Sequence, residues 1–166
     1  MDKSKIIEQN KNLVLKYPWL LPRNRFSDLA PKDYDFSYTE IDELPDGWRI
    51  AFGDSICEEI QRVLEKYDAV NKFRVIQIKE KYGSLRWYHG GLSREVAKEV
   101  EEIISKYEDI SARTCIDCGK PATKISLDWI CPWCDDCSKK HPDFRFKPIK
   151  DYFDEIRERF GENNGL

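Results

Sequence analysis

At 166 residues, with 40% hydrophobic and 13% aromatic side chains, the chain is long enough to bury the core of one domain plus a small appendage, which excludes a disordered tail. Its 31 acidic against 28 basic residues give a net charge of −3 and exclude sequence-independent wrapping of nucleic acid, which needs a surplus of cations, while leaving room for a local basic patch. No apolar run approaches the roughly 20 residues that span a bilayer, and the N-terminal stretch is acidic and amide-rich where a secretory leader is apolar, so a cytoplasmic protein with no membrane partner is expected.

The first predicted element is a short amphipathic helix over residues 3–16, through Ile6, Ile7, Leu13 and Val14. It stops at Tyr17-Pro18 because a residue before proline avoids helical geometry. From Pro18 to Pro45, four prolines and many aromatics predict an ordered, irregular layer over the core. A long helix follows, with Asp46 as N-cap and Trp48, Phe52, Ile56, Ile60, Val63, Leu64 and Tyr67 on one face. Cys57 lies beside that face and reads as a small core residue. The stretch "FRVIQIKEKYGSLRWYHGG" is rich in β-branched and aromatic residues and predicts a hairpin ended by two glycines. Ser93 then caps a helix with a stripe of Val96, Val100, Ile103, Ile104 and Tyr107. A last short helix through Tyr152, Phe153, Ile156 and Phe160 returns to the body, followed by a polar, frayed end.

Between the last two helices, Cys115-x-x-Cys118 and Cys134-x-x-Cys137 are separated by fifteen residues. Two such pairs are the pattern of a zinc ribbon, in which each pair sits at a tight turn and strands bring the turns together. In a reducing compartment clustered cysteines more often hold metal than form disulfides. Four thiolates fill a tetrahedral shell and leave no position for a reactive water, so the expected Zn2+ is structural. Cys131/Cys134 could replace Cys134/Cys137 as the second pair, since both have the same spacing, and His141 is a further possible ligand; the expected set is Cys115, Cys118, Cys134 and Cys137. Cys131-Pro-Trp-Cys134 looks like a redox motif, but such a site opens a helix in a βαβ unit, without a second cysteine pair around it.

"YPWLLPRNR", "ELPDGWRIAFG", "QIKEKYGSLRWY" and "RTCIDCGKPATKISLDWICPWCDDC" resemble a widespread group of uncharacterised bacterial and phage or prophage proteins. That group shares a Gln-x-Lys-x-Lys-x-Gly-x-Leu-x-Tyr-like hairpin and a Cys-x-x-Cys-Gly metal segment. The similarity covers most of residues 17–137 and implies no established activity. It maps the second metal pair onto Cys134 and Cys137 behind Trp129, with Cys131 departing from the group's pattern.

In the hairpin, a turn centred on Tyr82-Gly83 pairs Lys79 with Arg86, Ile78 with Trp87 and Gln77 with Tyr88. Alternation then puts Ile76, Ile78, Leu85 and Trp87 on a core face and Gln77, Lys79, Arg86 and Tyr88 on the other, with Lys81 at its edge. Directly opposed cations need compensation. Either the protein's own carboxylates supply it, for example from the acidic "DYDFSYTEIDELPD" segment, or Gln77, Lys79, Lys81, Arg86 and Tyr88 bind an external anion or partner. His89 reads as a strand-end surface residue, and no nucleophile, phosphate loop or paired acid and base stands at recognisable spacing, so the enzyme reading has little support.

The expected fold is α+β, a small antiparallel sheet packed on helices with a zinc-ribbon subdomain, divided into a body over 1–110, a ribbon over 111–147 and a C-terminal helix and tail over 148–166. The expected function is that of a small zinc-stabilised, non-catalytic binding protein, of phage or prophage type, acting on a host protein or defence component. Two alternatives are a nucleic-acid-binding ribbon, for which Lys139, Lys140, Arg145, Lys147 and Lys150 interleave with Phe144 and Phe146, and a nucleotide-binding or nucleotide-processing protein using the hairpin face.

Overall fold

The computed structural model describes residues 3–23 and 31–160. Residues 24–30 of the irregular layer and the polar end after Phe160 lie outside the described residues. Helix α1 (Lys3–Lys16) gives way at Tyr17 to a 3-10 turn, Pro18–Leu20, that drops Tyr17, Trp19 and Leu20 into the core. The residue that α1 buries is Asn10, which donates to Phe36 O at 2.9 Å and ties the helix to the irregular layer.

The long helix is interrupted. It runs as α2 (Asp46–Trp48), a π-helical segment Arg49–Gly53, and α3 (Asp54–Lys66). Pro45 takes the N-cap position expected for Asp46, which is instead the first helical residue. The interruption has a packing reason. Apolar residues at strict four-residue spacing, Trp48, Phe52, Ile56, Ile60 and Leu64, drift around an α-helix, and a π-turn under-rotates and brings the stripe back. All five are buried, while Ile50 inside the π segment is 73% exposed.

Strands β1 (Arg74–Lys81) and β2 (Ser84–Gly90) form an antiparallel hairpin. Tyr82 and Gly83 at its turn have φ of 53° and 77°, and positive φ at both central residues is what a tight two-residue hairpin turn of the primed type requires. Gln77 faces Tyr88, Ile78 faces Trp87 and Lys79 faces Arg86, as the sequence register has it. The register then slips, Val75 pairing with His89, which puts a bulge at Ile76. The bulge turns Ile76 away from the core face expected for it, leaving it 48% exposed, whereas Ile78, Leu85 and Trp87 are buried.

Helix α4 (Arg94–Ser111) buries Val96, Val100, Ile104 and Tyr107 against α3 and β2. Two acidic side chains link the helices: Glu99 accepts from Lys66 and Tyr67, and Glu59 accepts from Lys106 and Tyr107. The Ser111 hydroxyl at the end of α4 accepts from Leu85 N at 2.8 Å, fixing the helix to the hairpin beside the start of the cysteine segment.

A three-stranded antiparallel sheet follows, with β3 (Lys124–Ser126) between β4 (Pro132–Trp133) and β5 (Phe146–Pro148), and a single-turn helix α5 (Asp135–Ser138) after β4. Helix α6 (Ile149–Phe160) packs on β3 and β5, and the Arg113 guanidinium lies 4.6 Å from the centre of the Phe153 ring. The last helix was expected to return to the body; its main packing is on the small sheet. The fold is α+β, two small antiparallel sheets against helices.

The cysteine segment is seated on the body through backbone. Gly47 donates to Ile116 O at 2.9 Å, and Trp48 Nε1, wholly buried, donates to Thr114 O at 3.0 Å. A Cβ on Gly47 would stand 2.2 Å from Cys115 O, and one on Gly119 would stand 2.6 Å from Gly47 O. Gly119 has φ of +76°, so it needs glycine for its conformation as well as its contact.

Two helical glycines should therefore respond oppositely to alanine. Gly47→Ala drives a Cβ into rigid backbone and is expected to cost about 3 kcal/mol. Gly53→Ala meets nothing closer than 3.4 Å and gains helix propensity, so it should stabilise by about 0.5 kcal/mol. Urea unfolding of both variants checks this.

Candidate metal centre

Each half of the centre is a short loop whose own hydrogen bonds set the spacing of its thiols. In the first, Cys115 N donates to Lys120 O at 2.8 Å and Gly119 N to Cys115 O at 3.0 Å, with an isolated bridge between Thr114 and Pro121 closing the base. In the second, Cys134 caps α5, its sulfur accepting from Cys137 N at 3.4 Å. Strands β3 and β4 and the bond from Ile116 N to Pro132 O, 2.9 Å, hold the loops face to face.

The sulfurs of Cys115, Cys118, Cys134 and Cys137 all lie within 4.8 Å of one another, with Cys118 and Cys134 at 3.6 Å, and could hold a metal ion. None is in a disulfide; Cys118 is half-buried and the other three are buried. Burial alone would raise the Cys134 thiol, but the Cys137 N–H and the neighbouring thiols bring it down to about 7, while burial, the Asp117 carboxylate and the thiols around it push the Cys137 thiol up. The Lys140 ammonium is 3.9 Å from the Cys137 sulfur and 3.0 Å from Asp117, placing positive charge beside the cluster.

Cys131 stands apart from these four. It is fully buried, its N–H donates to the Ser126 hydroxyl at 3.2 Å, and burial together with the nearby Glu80 carboxylate pushes its thiol up to about 12. Ser126 is the hub of this small interior: it also accepts from Trp133 Nε1 at 3.1 Å and donates to Trp129 O. His141 is likewise engaged elsewhere, its ring 4.5 Å from that of Trp133 and stacked at 5.1 Å on Phe144. Phe144 and Phe146 pack against the cysteines with Trp133. Cys57 is a core residue of α3, 1% exposed, with its thiol raised by burial.

Glu80 joins the hairpin to the metal segment. Its Oε1 accepts from Gly83 N at 2.7 Å within the hairpin turn, and its Oε2 accepts from Trp129 Nε1 at 3.2 Å in the loop before β4. Gly83 lies against Ile130 O, which a Cβ would approach to 3.1 Å. That loop is anchored from the far side as well, where Asp128 accepts from Arg145 N, Nε and Nη2 at 2.9, 3.0 and 2.7 Å. Glu80 and Gly47 did not stand out in the sequence, yet both had a signal. The register pairs Glu80 with Leu85, putting a carboxylate on the core face, and Gly47 is a glycine in the first turn of a helix.

The five residues considered for anion or partner binding are distributed differently from one another. Lys79 donates to Gln77 Oε1 at 2.6 Å, and its ammonium lies 5.3 Å from the centre of the Tyr88 ring, so these three form one group. Arg86 turns to Ser84 Oγ, Leu85 O and the Glu108 carboxylate of α4, the last at 3.6 Å. Lys81 lies over the exposed Tyr82 ring at 5.4 Å. The carboxylate facing Arg86 thus comes from α4, not from the acidic segment around Glu40–Glu43. A groove of about 600 Å³ beside Gln77 and Tyr88 carries Glu101 and Glu108 on its helical wall, an unfavourable field for phosphate. His89 is half-buried against Phe73, ring centres 5.5 Å apart, and burial lowers its pKa against the opposing effect of Glu101. No helix among the described residues is long and apolar enough to cross a membrane.

Comparison of the chain with protein-family models, with curated proteins and with solved structures found no match.

The arrangement separates the cysteines by consequence. Cys118→Ser should abolish stoichiometric metal binding, whereas Cys131→Ala should retain one metal per chain and lose about 1–2 kcal/mol for the vacated interior. Metal analysis of the purified variants, paired with thermal unfolding, checks both.

Proposed function

We propose that the chain is a zinc-stabilised protein that works by binding another protein, without catalysis. The observation that carries this reading is the closed set of four thiol sulfurs within 4.8 Å, Cys115, Cys118, Cys134 and Cys137. A ZnS4 tetrahedron with bonds of about 2.3 Å has edges of about 3.8 Å, and the Cys118–Cys134 separation of 3.6 Å suits it. Zinc held by four sulfurs has no open position, so it contributes folding free energy and no reactive water. The small aromatic cluster of Trp133, Phe144 and Phe146 is too modest a core to hold the strands alone, which is where a structural ion matters most.

Support for recognition comes from the junction of the metal segment with the hairpin, where Trp129 is 57% exposed while its ring nitrogen is tied to Glu80. A large aromatic held in one orientation at a surface loses little entropy on contact and is a common anchor of protein interfaces. The resemblance of the hairpin and metal motifs to bacterial and phage or prophage proteins adds the proposal that the partner is a host protein or defence component.

The nucleic-acid alternative draws less support. Lys139, Lys140, Arg145 and Lys147 each lie beside an acidic partner, Asp136, Asp117, Asp128 and Glu155, and Phe144 and Phe146 face inward. The nucleotide alternative relied on Lys79 and Arg86 acting together, and the latter pairs with Glu108.

Native mass spectrometry should find one zinc per chain, released by a strong chelator and by acid, because protonated thiols do not ligate. Hydrogen exchange after release should show residues 112–140 losing protection while α3 and α4 keep more of theirs. A metal-free protein equally protected throughout would overturn the structural role. Affinity capture from a bacterial host, with Trp129→Ala as the paired control, tests recognition: a partner retained equally by both proteins contradicts the proposed surface.

A further inference from the structure

The junction that exposes Trp129 is also a groove of about 480 Å³ between the metal segment and the body. On the metal-segment side stand Trp129, Trp133, Ile116 and His141, the last with its ring packed on Trp133 and Phe144; on the body side stand Leu44 and Pro45, the carboxylates of Glu43 and Asp46, and Glu80 and Lys79 from β1. Its lining is thus aromatic and aliphatic with carboxylates around it. Asp117, also at this groove, is paired with Lys140. The Lys79 ammonium is engaged with Gln77 and the Tyr88 ring.

The chemistry of Trp129 adds to this field. Its indole N–H donates to Glu80, and an indole whose N–H is bound by a carboxylate carries more electron density on its ring face. An aromatic face with carboxylates beside it favours a cation with an aliphatic stem, which can lay the stem on apolar wall and the charged head over the ring. Anionic and neutral polar groups gain nothing comparable here.

We infer that this groove receives an arginine or lysine side chain from a basic segment of the partner protein, with Trp129 as the ring it covers and Glu43 and Asp46 as the flanking charges. The inference rests on the binding role proposed above and names the chemistry of the partner. Glu80 is a positioning residue in this arrangement: it orients the Trp129 ring, and its own two oxygens are already taken by Gly83 N and Trp129 Nε1.

The test uses the zinc-loaded full chain, labelled with 15N, and two short blocked peptides, Gly-Gly-Arg-Gly-Gly and the same sequence with uncharged citrulline for arginine. The Trp129 indole N–H signal is assigned by its loss in Trp129→Phe. The arginine peptide should shift it saturably, with the citrulline peptide at least about tenfold weaker and the arginine affinity falling as salt is raised. The double variant Glu43→Gln/Asp46→Asn, two exposed positions whose replacement leaves the aromatic wall intact and keeps a side-chain oxygen to accept from the Tyr38 hydroxyl, as Glu43 does at 2.5 Å, should weaken the arginine peptide several-fold while lowering Tm little. Equal affinity for the two peptides, or no saturable shift at millimolar peptide, would overturn the inference. If a captured partner still depends on Trp129 while the peptides show no charge preference, the basic side chain is wrong and the binding role stands; if nothing depends on Trp129, both fall.

Discussion

Two glycines meeting backbone to backbone set the geometry on which the rest of this protein depends. Gly47 opens the helix that forms one wall of the core, and Gly119 closes the first cysteine loop; each occupies space in which a Cβ would stand well inside contact distance of the other's neighbourhood. Because no side chain separates them, Gly47 N reaches Ile116 O and the Trp48 indole reaches Thr114 O. Those bonds satisfy an otherwise orphaned helix N–H and a buried ring donor at once. The position of the thiols relative to the body therefore follows from main-chain packing, which tolerates far less adjustment than a contact between flexible side chains.

A second tie, made by Glu80, turns a hairpin into a structural member of the metal segment. The tight turn at Tyr82-Gly83 brings Gly83 N within reach of the Glu80 carboxylate, and the other oxygen holds Trp129. The loop carrying Trp129 is thereby fixed from the hairpin on one side and from Arg145 on the other. An exposed tryptophan in a loop would ordinarily be free to move. Here the same carboxylate that closes the turn also orients the ring, so the surface at this junction is preorganised by contacts that serve the fold.

Much of this was legible in the residues, and the exceptions have identifiable causes. The two Cys-x-x-Cys pairs and their separation read directly as a four-sulfur cluster because ligand chemistry restricts both residue type and turn length. The hairpin register followed from the turn, since pairing propagates from it by geometry alone. The bulge at Ile76 did not follow, because nothing in an isoleucine marks it as the place where the register shifts; the slip is visible only in the pairing of Val75 with His89. The π segment was hidden for a similar reason. Its apolar spacing resembles an ordinary helix stripe, and only the burial of Trp48 through Leu64 together reveals that a correction was needed. Cys131 remained ambiguous in sequence, as a thiol looks the same whether it faces a metal or the Ser126 hydroxyl. The packing of α6 on the small sheet depends on tertiary contacts such as Arg113 against Phe153, which no local pattern encodes.

The central claim is that four sulfurs, and nothing else, close the metal shell and make the ion part of the fold. X-ray absorption at the zinc edge of the purified protein measures that shell directly. Four sulfur scatterers at about 2.3 Å are expected, unchanged in Cys131→Ala. A shell of three sulfurs with a nitrogen or oxygen at about 2.0–2.1 Å would contradict it, because a histidine or a water would then hold the fourth position and the site would no longer be the closed one described by Cys115, Cys118, Cys134 and Cys137.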